Sequence, residues 1–435
     1  MKILVVGNSL FKDKQNAFAL RTEQFIKAIP DKQKICLVSI DSDEKNPIPK
    51  KFSSFTHIKI NRELQTLKKI KKAFAPDVII GVNTYASYLA SKISSNTPFW
   101  ADLNGWIIAE LQAQAKSSQN DIIIPYGADI ERQILRKADK ISVVSRAQKY
   151  TTIGELASIL RLGKDSFEYE FLEIIKNIPQ NQKKTIGKSK FIQKLPENSF
   201  KIIQIGGFNA WFDEETLFRA LEKSIAKNPQ IHFLTTGGII PNVDEQSFLK
   251  FKKRVQKSKH KENFHLLGWV DKREIPLLYR EADFLINVDL DCIETHTGAR
   301  NRITEALGYN LPVITTLGSE ISYEIAMYEA GIATPSGEVA KLSEQILSAA
   351  SNPSLKKRFQ ENISDLIKNE YSDKIIMKNF INWIQDPKSA PGKKCLKKNH
   401  INSLIYYIKN KGLRKLFKKI WQKIKGKKSP AYYLS

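Results

Sequence analysis

The sequence predicts an α/β protein: two doubly wound domains facing a cleft, followed by a basic amphipathic helical tail. Three observations carry this. Short apolar runs alternate with helical patterns from Lys2 to Pro179. A polar, lysine-rich stretch, PQNQKKTIGKSKFIQKLPENS (Pro179–Ser199), breaks that rhythm before the alternation restarts at Phe200. The last 48 residues, Lys388 to Ser435, hold fifteen Lys and Arg and no acid.

The first half opens with KILVVG (Lys2–Gly7), apolar on consecutive positions as a strand covered on both faces must be. A helix is expected over Ala17–Ile29, with Phe18, Phe25, Ile26 and Ile29 on one face. ICLVSI (Ile35–Ile40), THIKI (Thr56–Ile60), DVIIGV (Asp77–Val82), PFWADLNGW (Pro98–Trp106), KISVV (Lys140–Val144) and FLEIIKNIP (Phe171–Pro179) continue the strand series. In the second half FKIIQIGG (Phe200–Gly207), IHFLTTGG (Ile231–Gly238), NFHLLGWV (Asn263–Val270), ADFLINVD (Ala282–Asp289), PVITT (Pro312–Thr316) and GIATP (Gly331–Pro335) repeat the scheme. Strand-then-helix repetition favours parallel sheets with helices on both faces. The expected division is a first domain over 1–185, a linker over 186–199, a second domain over 200–387 and a tail over 388–435.

Composition limits the function classes. A chain of 435 residues that is 42% hydrophobic and 10% aromatic can bury large cores and is not a disordered protein. Cys36, Cys292 and Cys395 are far apart, which argues against a disulfide framework and a zinc site. The start MKILVVGN turns polar too soon for a signal peptide, and no run reaches the length of a membrane span. A cytoplasmic location is expected. Net charge is +25; removing the fifteen of the tail leaves +10 on the rest.

Chemistry concentrates in the second half. Gly206–Gly207 and Gly237–Gly238 end two strands, where backbone N–H groups and a helix start can approach a phosphate. Asn209, Trp211 and Phe212 fill the turn after the first pair, and Asp213, Glu214 and Glu215 begin the next helix as ordinary caps. In ETHTGARNRITEALGYNLPVITT, Arg300 and Arg302 flank a helix start and suit an anion. Gly298 leads into them, and Glu305, a turn further on, suits a diol. In the first domain Asp102 ends a strand and is expected to project into the cleft toward sugar or acceptor, or else to satisfy its own turn. The DLD of Asp289–Asp291 is a cheap motif, and no metal is expected there.

These motifs resemble, in order, those of the GT-B glycosyltransferases, most closely the retaining family 4 group. The matching pieces are GGFNAWFDEETL, the strand with TTGG, HLLGWVDKREIPLLYREADFLINVD and TEALGYNLPVITT. The resemblance implies a GT-B fold and a Leloir enzyme that binds a nucleotide-diphosphate sugar with its second domain. Carried over, Glu305 holds the ribose, the Gly206–Gly207 turn faces the diphosphate, and Gly268 to Val270 lie beside the base. Three departures stand out. Thr297 occupies the position eight before Glu305 where the family often has a second glutamate, and Glu294 is the favoured substitute. The lysine that follows the family's glycine turn is missing, so Arg300 and Arg302 are expected to supply its charge. Asn310 stands where the family has a helix-ending glycine, and Asn tolerates that left-handed position.

The tail repeats Leu413, Leu416, Phe417, Ile420, Trp421 and Ile424 at helical spacing, with Lys411, Arg414, Lys415, Lys418, Lys419 and Lys423 opposite. Such a face suits an anionic bilayer or packing on the body. No nucleic-acid motif accompanies the charge. The expected function is transfer of a sugar from a nucleotide sugar to a lipid-linked or cell-surface polysaccharide acceptor, by an enzyme peripheral on the inner membrane face. The alternatives are a nucleotide-sugar 2-epimerase of the same fold and a weakened scaffold that binds nucleotide sugar or membrane.

Overall fold

The computed structural model describes residues 1–8, 17–40, 47–179, 187–240 and 243–391. The amphipathic tail from residue 392, including Cys395, lies outside the described residues.

Two parallel sheets form the frame. The first holds seven strands: β1 (Lys2–Gly7), β2 (Lys34–Ser39), β3 (Phe55–Lys59), β4 (Val78–Gly81), β5 (Phe99–Asp102), β6 (Lys140–Val143) and β7 (Leu172–Ile174). The second holds six: β8 (Phe200–Gln204), β9 (Ile231–Thr236), β10 (Phe264–Gly268), β11 (Phe284–Asn287), β12 (Val313–Thr316) and β13 (Gly331–Thr334). Their orders are β3-β2-β1-β4-β5-β6-β7 and β10-β9-β8-β11-β12-β13. Every pairing is parallel, so each order reverses direction beside its first strand, at β1 and at β8. At such a reversal the helices leave on opposite faces and open a crevice at the strands' carboxyl ends. Each apolar run of the sequence analysis contains one of these strands. Their central residues are buried because helices cover both faces: Ile3, Leu4, Val5 and Val6 are all at 0% exposure.

The expected helix forms over Ala17–Ala28. Phe25 and Ile29 are buried, but Phe18 is 51% exposed, so the packed face begins after the first turn. Asn310 has a φ of 52° and closes the helix Asn301–Gly308, as the family comparison required.

Two features were not visible as sequence patterns. Part of the polar linker is anchored to the second domain. Ser189 is fully buried and donates its hydroxyl to Glu274, while its N–H donates to Glu281. The chain also returns to the first domain. After the helix Pro353–Glu370, the helix Lys378–Gln385 packs Phe380 against Phe25 and Trp100, with ring centroids 4.9 and 5.1 Å apart, and Trp383 against Trp100 at 5.4 Å. Ala390 is buried there too, and its N–H donates to Asp139 at 2.6 Å. The contiguous division at 387 hides this return, because the aromatic pattern of NFINWIQ does not say which sheet it covers.

Candidate active site

The glycine turns are built by close backbone approach. Gly206 and Gly237 have φ of 92° and 79°, a region that favours glycine. A Cβ added at Gly237 would stand 2.4 Å from the carbonyl carbon of Gly206. Hydrogen bonds tie the three strand ends together: Gly237 N–H to Gly268 O at 2.7 Å, and Phe208 N–H to Gly238 O at 3.1 Å. Asn209 closes the turn by accepting from Phe212 N–H, and Asp213 caps the following helix by accepting from Thr216 N–H. Gly268 opens to free space, with Trp269 beside it 68% exposed. Val270 follows, half-buried.

The two arginines of the helix start differ sharply. Arg300 donates Nε to Asp289 at 2.6 Å, and Nη1 and Nη2 to the two oxygens of Glu294 at 3.1 and 2.8 Å. All three side chains are buried. Its fork is filled by two carboxylates and has no free edge for a phosphate. The expectation that Arg300 grips the diphosphate does not fit this geometry; the residue instead organises Glu294. Gly298 makes the room, since a Cβ there would lie 2.3 Å from Glu294 Oε1. Arg302 makes one bond, from Nη2 to the carbonyl of Gly207 at 2.8 Å. Its Nη1 is buried with no hydrogen-bond partner among the described residues, and its guanidinium lies over Phe212 at 5.6 Å. Burial depresses the Arg302 pKa, as it must for a cation in a poorly solvated place.

Asp102 does not project into the cleft. It is at 0% exposure and accepts from Arg21 Nη2 (2.7 Å), Ser142 Oγ (2.6 Å), Arg21 Nε (3.1 Å) and Asn83 N–H (3.3 Å). Both oxygens are consumed in locking Arg21, so the projecting role proposed for Asp102 fails on saturation. Arg21 itself was missed; a lone basic residue on an amphipathic helix carries no signal. With Gln24 and Asn177 from the first domain, it lines a crevice against Asn301, Thr304 and Glu305 of the second. Asp289 and Asp291 part company. The first holds Arg300, and the second is exposed on His296 at 2.7 Å.

The two domains meet over this centre. The short helix Ile293–Thr297 packs against helices Ile107–Ser118 and Arg146–Ser158, and Ser145 donates to Thr297 O at 2.7 Å. Glu110 comes near Glu294 and Arg300 there. Burial, then the charge of Glu294, push its carboxyl up to about 8, against the pull of Arg300. Glu294 is raised as well, by burial, although Arg300 opposes the shift. Behind Glu110, Glu131 is 1% exposed and sits against Glu155 and Trp106. Burial and the neighbouring Glu155 raise its pKa. Glu155 in turn accepts from Trp106 Nε1 at 3.1 Å. This acidic group also went unread in the sequence, because its members lie on three helices.

Residues 185–365 match the family model of the group 1 glycosyl transferases. No curated protein sequence matches the chain. Solved structures share its whole architecture at low identity. Trehalose-6-phosphate synthase OtsA superposes with a TM-score of 0.70 at 12% identity, covering 89% of this chain and 100% of its own. Sucrose-phosphate synthase from Thermosynechococcus elongatus gives 0.66 at 14%, covering 88% and 98%. HepE from Anabaena, in complex with UDP-glucose, gives 0.64 at 16%, covering 88% and 99%. At these identities the likeness establishes the GT-B fold.

Proposed function

We propose that this group 1 glycosyltransferase of GT-B fold transfers a sugar from a nucleotide-diphosphate sugar, with retention, to a lipid-linked or polysaccharide acceptor. The observation that carries the donor reading is Arg302. A buried guanidinium with an unpartnered nitrogen, set against a glycine turn, is costly unless an anion completes it. A diphosphate at Gly206–Gly207 supplies that anion. As the leaving diphosphate gains charge in the transition state, Arg302 stabilises it from a fixed position. Glu305 takes the ribose hydroxyls at the domain crevice, and the open backbone at Gly268 and Val270 receives the base. Arg300 holds Glu294 in place of the family's missing glutamate at Thr297, toward the transferred sugar. HepE is seen with UDP-glucose, which makes UDP-hexoses the first donors to try.

The test is a thermal-shift panel of nucleotide sugars, followed by transfer kinetics. One nucleotide sugar should raise the melting temperature of the parent protein. Arg302→Ala should abolish that shift and slow transfer on the order of 100-fold, the usual cost of one preorganised donor. Donor binding and turnover unchanged in Arg302→Ala refute the assignment. The acceptor half of the proposal rests on the tail, whose basic amphipathic pattern suits an anionic lipid surface. Among the described residues no helix is long and apolar enough to cross a membrane. Co-sedimentation with anionic vesicles that vanishes at high salt is the expected result; equal binding to neutral vesicles counts against it.

A further inference from the structure

An apolar groove lies on the first domain, away from the cleft. It measures about 900 Å³ with its open mouth. Ile153, Leu156, Leu162, Phe167, Tyr169 and Phe171 line it. Phe167 is 89% exposed and Leu162 43%, an unusual outlay of apolar surface for a loop. The rim is acidic. Asp165, Glu168 and Glu170 are all exposed there; Asp165 pairs with Lys164 and Glu170 with Lys149, which leaves one carboxylate in excess among the described residues.

We infer that the apolar face of this chain's own tail, Leu413 to Ile424, covers this groove when no lipid is present. The described chain stops beside it. Ala390 donates to the carboxylate of Asp139, and the carbonyl of Asp139 accepts from Tyr169, a groove residue, at 2.8 Å. From residue 391 to Leu413 the chain can span about 70 Å extended, or about 33 Å wound as a helix, so reach is ample. Shape and charge agree. The tail offers Leu413, Leu416, Phe417, Ile420 and Trp421 at helical spacing, flanked by cations only, to an apolar trough whose rim has one carboxylate in excess. This assignment does not depend on the donor site. It does constrain the lipid reading, because one apolar face cannot lie in the groove and in a bilayer at once.

Hydrogen exchange on the full chain, free of lipid, is the test. Amides of 413–424 and of 160–172 should exchange at least about ten-fold slower than in full-length Leu416→Asp, in which the tail face is spoiled. Phe167→Asp should release the tail in the same way while keeping the parent's melting temperature and donor-induced shift. Glu168→Lys, which leaves the groove's apolar lining intact, should release it partly and more so at low salt. Adding anionic vesicles should transfer protection away from 160–172 while 413–424 stays protected. An unprotected 413–424 in the lipid-free parent overturns the proposal. So does protection that appears only with vesicles, or that grows with protein concentration and therefore comes from a second copy.

Discussion

At Glu110 the two domains meet through charge, and the sign of its titration can be worked out. In the folded chain its carboxyl keeps its proton up to about pH 8, while unfolded it releases it near 4.5. Between those values the folded state binds the extra proton. That contribution is whole below 4.5 and is lost as pH rises through 8. Glu294 and Glu131, shifted the same way, add to the trend. The melting temperature of the parent should therefore fall more between pH 6 and 9 than that of Glu110→Gln; parallel curves rule out the charge account. Individual residues of the site were legible to different degrees. Arg302 and Glu305 lie on the helix Asn301–Gly308, with Arg302 against the carbonyl of Gly207. Arg300 and Asp102 read as ligands because they end strands or begin helices, yet both are absorbed by buried partners: Asp289 and Glu294 for the first, and Arg21 and Ser142, distant in sequence, for the second. A one-dimensional pattern shows where a side chain starts, not who is waiting for it.

Among elements, the paired glycine turns bear most on the site, since the β8 and β9 ends approach backbone to backbone at Gly206 and Gly237. Gly237→Ala should force them apart. Its Cβ would meet the Gly206 carbonyl carbon at 2.4 Å, and its φ of 79° adds strain. The expected outcome is a loss of about 1–3 kcal/mol in stability, read by urea unfolding, with a larger loss of donor affinity. Gly268→Ala has open space and should disturb packing little, which makes it the control for φ alone. The strands were the most readable part of the chain, because burial on both faces leaves consecutive apolar residues. The sequence pattern neither singled out the last helix, Lys378–Gln385, nor said which domain it joins. Its Phe380 and Trp383 would satisfy any apolar surface.

For the whole molecule, the hinge is chemical as well as covalent. Lys176, leaving β7, pairs with Glu324, and with Glu370 at 2.8 Å, while Tyr371 donates to Glu324 at 2.5 Å. Replacing Lys176 by Ala strands Glu324 in a buried place and should cost about 3–5 kcal/mol. Adding Glu324→Gln should restore part of that loss in thermal unfolding; a double variant no better than the single one contradicts the pairing. The return of the chain at Lys378–Gln385 gives this hinge a second strap. Two bodies joined by one connection can swing and swivel, but a second connection restricts the swivel. Arg21 and Glu305, which line one crevice from the two domains, then keep a common register.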